Sequence, residues 1–121
     1  MTKSKRIAPP NSLILVSDFG GGEIPASMNQ SLIAATDSCI AVGTRAEDDG
    51  ESEISLGRAD TIDVSYEPVF VGRIKTPSRR VAVRTVLGDV LLEMDSLTTE
   101  TIVRIWVNDS TEPDQIAIGI V

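Results

Sequence analysis

Short runs of alternating polar and apolar residues, each closed by turn residues, recur along this chain. Residues 52–56 alternate strictly, and residues 101–107 are rich in β-branched side chains. A period of two is typical of a strand with one buried face, whereas a helix needs a period near 3.6. No helical segments of ~10–15 residues separate these runs, as parallel crossovers would require. The pattern predicts an all-β, antiparallel two-sheet β-sandwich of about eight or nine strands.

Two segments depart from this pattern. Ile24, Met28 and Leu32 are spaced four residues apart, as on one face of a helix, so the sequence allows one short helix near residues 25–35. Residues 1–11 contain adjacent prolines, which disfavour helix and central strand alike, and we expect a flexible N-terminal lead-in there. A length of 121 residues suits one domain, so residues 12–121 are predicted to form a single β-sandwich domain.

Turn residues predict how the strands connect. The pair Asp49-Gly50 is typical of a hairpin, here between a strand over residues 39–44 and one over residues 52–56. A second hairpin is expected around residues 76–78, and a strand is expected around Ile62 and Val64. The final run is apolar on both faces, which favours an interior position in its sheet.

The chain contains no histidine, so Ser-His-Asp and Cys-His triads and histidine-based zinc sites are excluded. Cys39 is the only cysteine; it lies in an apolar alternation, where we expect a buried and unreactive thiol. The acidic run after it does not fit a calcium loop, because Arg45 and Leu56 would occupy positions that need carboxylates. We expect no catalytic residue, no metal and no cofactor.

Acidic side chains dominate the first half of the chain. The formal net charge is −7, and residues 18–67 contain eleven acids against two arginines. Such a charge repels nucleic acid and anionic membranes and favours a basic protein partner. The alternative is an exposed turn with no partner. The predicted partner-binding residues are Glu47, Asp48, Asp49, Glu51 and Glu53.

Basic side chains cluster around the second predicted hairpin. The cluster consists of Arg73, Lys75, Arg79, Arg80 and Arg84. Residues two apart on a strand share a face, so these cations could form a small basic patch. Equally, they could pair with the acidic first half of the chain. No apolar run near the N-terminus reaches the ~7–15 residues of a signal peptide, and we expect a cytoplasmic protein.

Three stretches carry a resemblance to a known family. They are an Ala-Ala-Thr-Asp turn leading into an apolar strand within residues 31–44, the Val-Phe-Val run at residues 69–71, and a strand ending in Ile105-Trp106. A long acidic turn and a final apolar strand follow. This order resembles the competence protein J family, small bacterial all-β proteins that include the inhibitor of a competence nuclease.

The resemblance implies a cytoplasmic bacterial protein that binds and blocks a nuclease or toxin without catalysis. The acidic segment would then imitate phosphate charge in front of a basic cleft. Two alternatives stay open: a structural or assembly protein that self-associates through its β-edges, and a carboxylate-dependent enzyme whose pocket holds a carboxyl group of raised pKa.

Overall fold

A computed structural model of the protein describes residues 2–121 and contains ten strands in that range. The strands are β1 Lys3–Ile7, β2 Leu13–Asp18, β3 Ile33–Ala35, β4 Cys39–Gly43, β5 Ser52–Arg58, β6 Phe70–Lys75, β7 Arg80–Thr85, β8 Val90–Asp95, β9 Glu100–Val107 and β10 Gln115–Ile120. They form two five-stranded sheets, which confirms the all-β, two-sheet prediction.

The two sheets have different strand orders. Sheet A runs β1-β5-β10-β9-β6, and sheet B runs β3-β4-β2-β7-β8. Every neighbouring pair is antiparallel except β5 and β10, which are parallel. The purely antiparallel prediction is therefore wrong at this one pair. A parallel pair needs a long connection between its strands, and the five other elements between β5 and β10 supply it.

The core lies between the inner faces of the two sheets. Its largest fully buried side chains include Ile14, Ile40, Ile54, Leu56, Ile74, Ile105, Ile116, Ile118 and Ile120. Removing such a side chain from water stabilises the fold by about 1.5–3 kcal/mol each. Strand β10 lies between β5 and β9, which confirms its predicted interior position.

The segment predicted as a lead-in contains strand β1. This strand pairs with β5 from Lys3 opposite Leu56 to Ile7 opposite Ser52. The adjacent prolines fall after the strand, and Pro10 begins a 3-10 turn, so they do not interrupt the pairing. Because β1 is an edge strand, its lysines can point into solvent without burial.

No α-helix occurs near residues 25–35, or elsewhere within residues 2–121, where the only helical elements are three 3-10 turns. Asn29 and Gln30 have positive φ values of 52° and 62°, which a right-handed helix cannot accommodate. Ile24 is 57% exposed, so the expected apolar face is not formed.

The two predicted hairpins are crossings between the sheets. The segment containing Asp49-Gly50 leads from β4 in sheet B to β5 in sheet A, and Gly50 has a φ of 124°. Residues 76–78 lead from β6 in sheet A to β7 in sheet B. There the buried carboxylate of Asp18 accepts bonds from the Ser78 amide at 3.0 Å and hydroxyl at 2.7 Å, which fixes the corner.

The expected strand at Ile62 and Val64 is also absent, because these residues lie in an irregular segment, residues 59–69. This segment connects β5 to β6, which are separated in sheet A by β10 and β9. The chain therefore has to pass over two strands, and it does so across the outer face of the sheet. No helix among the described residues has the length and apolarity to cross a membrane.

Candidate protein-binding site

The parallel pairing of β5 with β10 builds the candidate site. Glu53 pairs with Gln115, so the N-terminal ends of both strands lie at the same end of the sheet. The segments that precede them, residues 47–51 and residues 108–114, are consequently neighbours. Main-chain bonds join them: the Glu53 amide donates to the Asp114 carbonyl at 2.7 Å, and the Arg45 amide donates to the Pro113 carbonyl at 2.9 Å.

The first of these segments contains the 3-10 turn Glu47–Asp49. The Glu47 main-chain amide donates to the Ser12 hydroxyl at 3.1 Å, and the Glu47 carboxylate accepts from the Asn11 main-chain amide at 3.1 Å. All three acids of the turn are exposed. Within residues 2–121, the carboxylates of Asp48 and Asp49 make neither a hydrogen bond nor an ion pair. The turn therefore presents their charge to solvent at a fixed position.

Arg45 lies between the two segments. Its guanidinium donates to the Asp49 carbonyl and lies 3.7 Å from the Asp114 carboxylate. The Ala46 amide adds a long bond, 3.4 Å, to the Glu112 carboxylate. One arginine thus holds the segments together, and it offsets only part of their negative charge.

Hydrogen bonds within the second segment fix its shape. The Asp109 carboxylate accepts bonds from the Glu112 amide at 2.7 Å and from the amide and hydroxyl of Thr111 at 3.2 and 3.0 Å. These donors, the Glu112 amide foremost, hold the pKa of Asp109 below its usual value. The Asn108 side chain joins the two ends of the segment. Its Oδ1 accepts from the Asp114 main-chain amide at 3.2 Å, and its Nδ2 donates to the Asp114 carboxylate at 2.6 Å.

The structure separates the five predicted site residues into two groups. Glu47, Asp48 and Asp49 share the 3-10 turn, and Glu51 follows it at 3.9 Å from the exposed Arg6 guanidinium. Glu53 is half-buried on the outer face of sheet A, because its neighbours Ile54 and Ser52 point into the core.

Glu53 lines a cavity of about 320 Å³ beneath residues 61–66. Asp63, Tyr66 and Gln115 line the same cavity. The two acids of this cavity, Glu53 and Asp63, are therefore separate from the acids of the exposed turn. We call the exposed acidic surface formed by residues 47–51 and 109–114 the acidic end, and Glu53 lies beside it rather than in it.

Sequence reasoning did not assign Glu112 and Asp114 to the site. Their turn was recognisable as polar and acidic from residues 108–114 alone. Its position beside Glu47–Asp49 depends on the parallel pairing of β5 with β10, and no local pattern indicates that pairing.

The cations of β6 are paired within the molecule. The Arg73 guanidinium lies 3.1 Å from the Glu100 carboxylate, and the Lys75 ammonium lies 3.0 Å from Asp37. The hydrogen bond to Asp37 raises the pKa of Lys75. Arg79 is exposed at the corner between the sheets.

The cations of β7 are also engaged. Arg80 binds Glu93, with Nε at 2.9 Å, and also Asp95; its hydrogen bond to Glu93 raises its pKa. Arg84 donates to the Phe19 carbonyl at 2.8 Å. Arg73, Lys75 and Arg80 are thus paired within the molecule. Pairing with the acidic first half of the chain holds only for Lys75 with Asp37, because Glu93, Asp95 and Glu100 lie in the second half.

Comparisons with known proteins were made for sequence and for structure. No protein-family model matches the sequence, and no curated protein matches it significantly. ComJ from Bacillus subtilis, an inhibitor of the DNA-degrading activity of NucA, has a similar structure with a TM-score of 0.70 at 13% identity, covering 98% of this chain and 94% of ComJ. The product of crocagin biosynthetic gene J has a TM-score of 0.64 at 13% identity, covering 99% and 96%.

Both similarities extend over nearly the whole chain. The protein therefore has a ComJ-like fold, and the family resemblance seen in the sequence is confirmed at the level of the fold.

Proposed function

We propose that this protein is a non-catalytic binding protein that inhibits a nuclease by docking its acidic end on the nuclease's basic surface. The observation that carries this function is the acidic end itself: two segments distant in sequence are held together by main-chain bonds so that their carboxylates face solvent. The parallel strand pair is part of the fold. The fold does not, however, require acidic residues in both segments that precede these strands, residues 47–51 and 108–114.

The charge of this surface matches that of a nucleic-acid backbone. A nuclease must attract phosphates with basic side chains, so a rigid surface carrying carboxylates can occupy the same cleft. The exposed position of Asp48 and Asp49 favours fast, charge-steered association that weakens as salt screens the charges.

The fold supports the class of partner. ComJ inhibits the DNA-degrading activity of NucA, and its fold is that of the present chain. At 13% identity the two proteins share few side chains, so the contact residues have to be found on this chain's own surface. Within residues 2–121, the acidic end is the surface with the most carboxylates that lack an ion pair.

The test is affinity capture followed by a nuclease assay. We expect the tagged protein to retain a basic nuclease from its host at low salt, to release it as salt is raised, and to inhibit DNA cleavage by the purified nuclease. The triple variant Asp48→Asn, Asp49→Asn, Glu51→Gln should weaken binding by roughly tenfold to a hundredfold, because it removes three charges facing the partner.

A matched variant separates position from net charge. Glu23→Gln, Asp63→Asn and Glu67→Gln remove the same charge from three other exposed positions and should leave the affinity nearly unchanged. Equal weakening by the two triple variants would contradict docking through the acidic end.

Two other functions predict different results. A self-assembling protein would yield only copies of itself, and β6 is the edge it would use, since Val69 and Val71 next to Arg73 are 50% and 58% exposed. A carboxylate-dependent enzyme would instead lose activity on Glu53→Gln or Asp63→Asn, the two acids in the cavity beneath residues 61–66. Neither change should affect a nuclease inhibitor that acts through the acidic end.

A further inference from the structure

A second cavity lies at the end of sheet A opposite the acidic end, where the parallel strands β5 and β10 finish. Its volume is about 320 Å³. The residues that line it include Arg58, Asp60, Leu97, Arg104, Ile120 and Val121. The side chain of Ile120 lies in the core, so two arginines share a small cavity with two exposed aliphatic side chains, Leu97 and Val121, and the carboxylate of Asp60.

Arg58 reaches this cavity from the last position of β5. Its Nη2 donates to the Asp95 carbonyl at 2.8 Å, which fixes the guanidinium against the end of β8 in the other sheet. Its Nη1 is buried and has no hydrogen-bond partner within residues 2–121. A buried, charged N–H group without an acceptor is unfavourable, and native proteins almost always supply one. A ligand in the cavity that Arg58 lines can supply the missing acceptor.

Arg104 is the second cation of the cavity. It lies on β9 between Gly119 of β10, which has no side chain to cover it, and Val71 of β6. In the described part of the chain it forms no ion pair, unlike Arg73 and Arg80. Asp60 at the same cavity offsets part of the charge of the two arginines.

We propose that this cavity binds a short aliphatic carboxylate, with Arg58 and Arg104 on the carboxylate and Leu97 and Val121 around the tail. The planar guanidinium offers parallel N–H donors that match the two oxygens of a carboxylate. The size and the mixed lining are those of a small-ligand site. Leu97 is 74% exposed, so its side chain is free to adjust to a bound tail. This site is independent of the nuclease-binding function.

The test is calorimetric titration of the full chain with hexanoate at low salt. We expect saturable binding at one site, and no binding of hexanamide, which has the same tail without the charge. Arg104→Gln should weaken hexanoate binding about tenfold or more, because a charge-assisted pair is lost. Arg6→Gln removes the same charge from an exposed position beside Glu51 and should leave binding unchanged.

Two further measurements complete the test. Arg58→Lys keeps the charge but loses the parallel N–H donors of the guanidinium, so it should weaken hexanoate binding. Circular dichroism checks that this variant is folded. N-acetyl-leucine distinguishes the source of the carboxylate: tighter binding than hexanoate would indicate a peptide C-terminus, and weaker binding a free acid. The absence of saturable hexanoate binding, or equal weakening by Arg104→Gln and Arg6→Gln, would overturn the proposed site.

Discussion

Irregular segments cover the outer faces of both sheets, but they pack against them differently. On sheet A, residues 59–69 lie so close that a Cβ added to Gly119 would be 2.8 Å from the Ala59 Cα and 2.9 Å from the Trp106 ring. Trp106 is consequently only 7% exposed, although it points away from the main core. Around Ala59 and Trp106 this cover is packed as tightly as the protein interior, whereas residues 61–66 leave the cavity lined by Glu53.

The cover of sheet B, residues 19–32, is looser. It buries a small group of outward-facing side chains, Leu15, Cys39 and Ala41, chiefly with Met28. Cavities of about 280 and 480 Å³ lie on either side and are both lined by Met28. A segment with few packed apolar contacts can open without unfolding the rest of the protein. The comparison indicates that the part of the first cover around Ala59 and Trp106 belongs to the global fold, whereas the second cover is a locally stable unit.

Truncating Trp106 should have the largest effect. Trp106→Ala is expected to lower the free energy of unfolding by about 3–5 kcal/mol, because a large buried side chain is lost beneath the tight cover. Urea denaturation followed by circular dichroism measures this change. Val69→Ala, at a half-exposed position on the same face, should cost less than about 0.5 kcal/mol. A loss for Trp106→Ala as small as that for Val69→Ala would contradict the tight packing.

Alkaline pH should destabilise the protein through Cys39, beneath the looser cover. Burial raises the pKa of this thiol to about 11, from 9.0 in an exposed thiol, although the nearby Arg84 lowers it slightly. Between these two values the unfolded chain loses the proton and the folded protein keeps it. Stability is therefore unaffected below pH 9 and falls as pH rises toward 11, by about 2–3 kcal/mol.

Denaturant midpoints measured across this pH range test the linkage. Cys39→Ala has no group to titrate and should remove the alkaline loss attributed to the thiol. If the variant and the parent protein lose the same stability between pH 9 and pH 11, another group is responsible.

Truncating Met28 in the looser cover should have the smallest effect on global stability. Met28→Ala removes a half-buried side chain and is expected to cost about 1 kcal/mol in unfolding free energy. It should nevertheless raise the rate at which a thiol reagent labels Cys39 at neutral pH by about tenfold, because local opening becomes easier. Ile24→Ala, an exposed position in the same segment, should leave the labelling rate unchanged. Equal rates for both variants would show that Met28 does not control the opening.

The strands were predictable from sequence because their signal is local. Alternation of buried and exposed residues marks β5 and β9 directly, and the apolar final run marks β10. The sheet that each strand joins is decided by contacts far apart in sequence, so Asp49-Gly50 resembled a hairpin turn although it links two sheets. Residues 24–32 matched a helical period by chance, and Asn29 and Gln30 take a left-handed backbone instead.

The candidate site was predictable only in part. The concentration of acids in Glu47–Asp49 is visible in the sequence, and the structure exposes them. Glu112 and Asp114 join them because a parallel partner brings two distant segments to one end of a sheet. Glu53 was assigned to the same surface, but the alternation of β5 turns its side chain to the outer face of sheet A.

The parallel pairing of β5 with β10 also sets the time at which this surface can form. Only three of the eight strand pairs within residues 2–121 join consecutive strands: β3 with β4, β7 with β8, and β9 with β10. The pairing of Glu53 with Gln115 needs β10, which follows the nine other strands. Closing so long a loop is slow, and a chain still being synthesised cannot do it before its last strand emerges. A nascent chain would therefore carry Glu47–Asp49 without Glu112 and Asp114. The inhibition that we propose for the acidic end would then begin only after β10 has paired with β5.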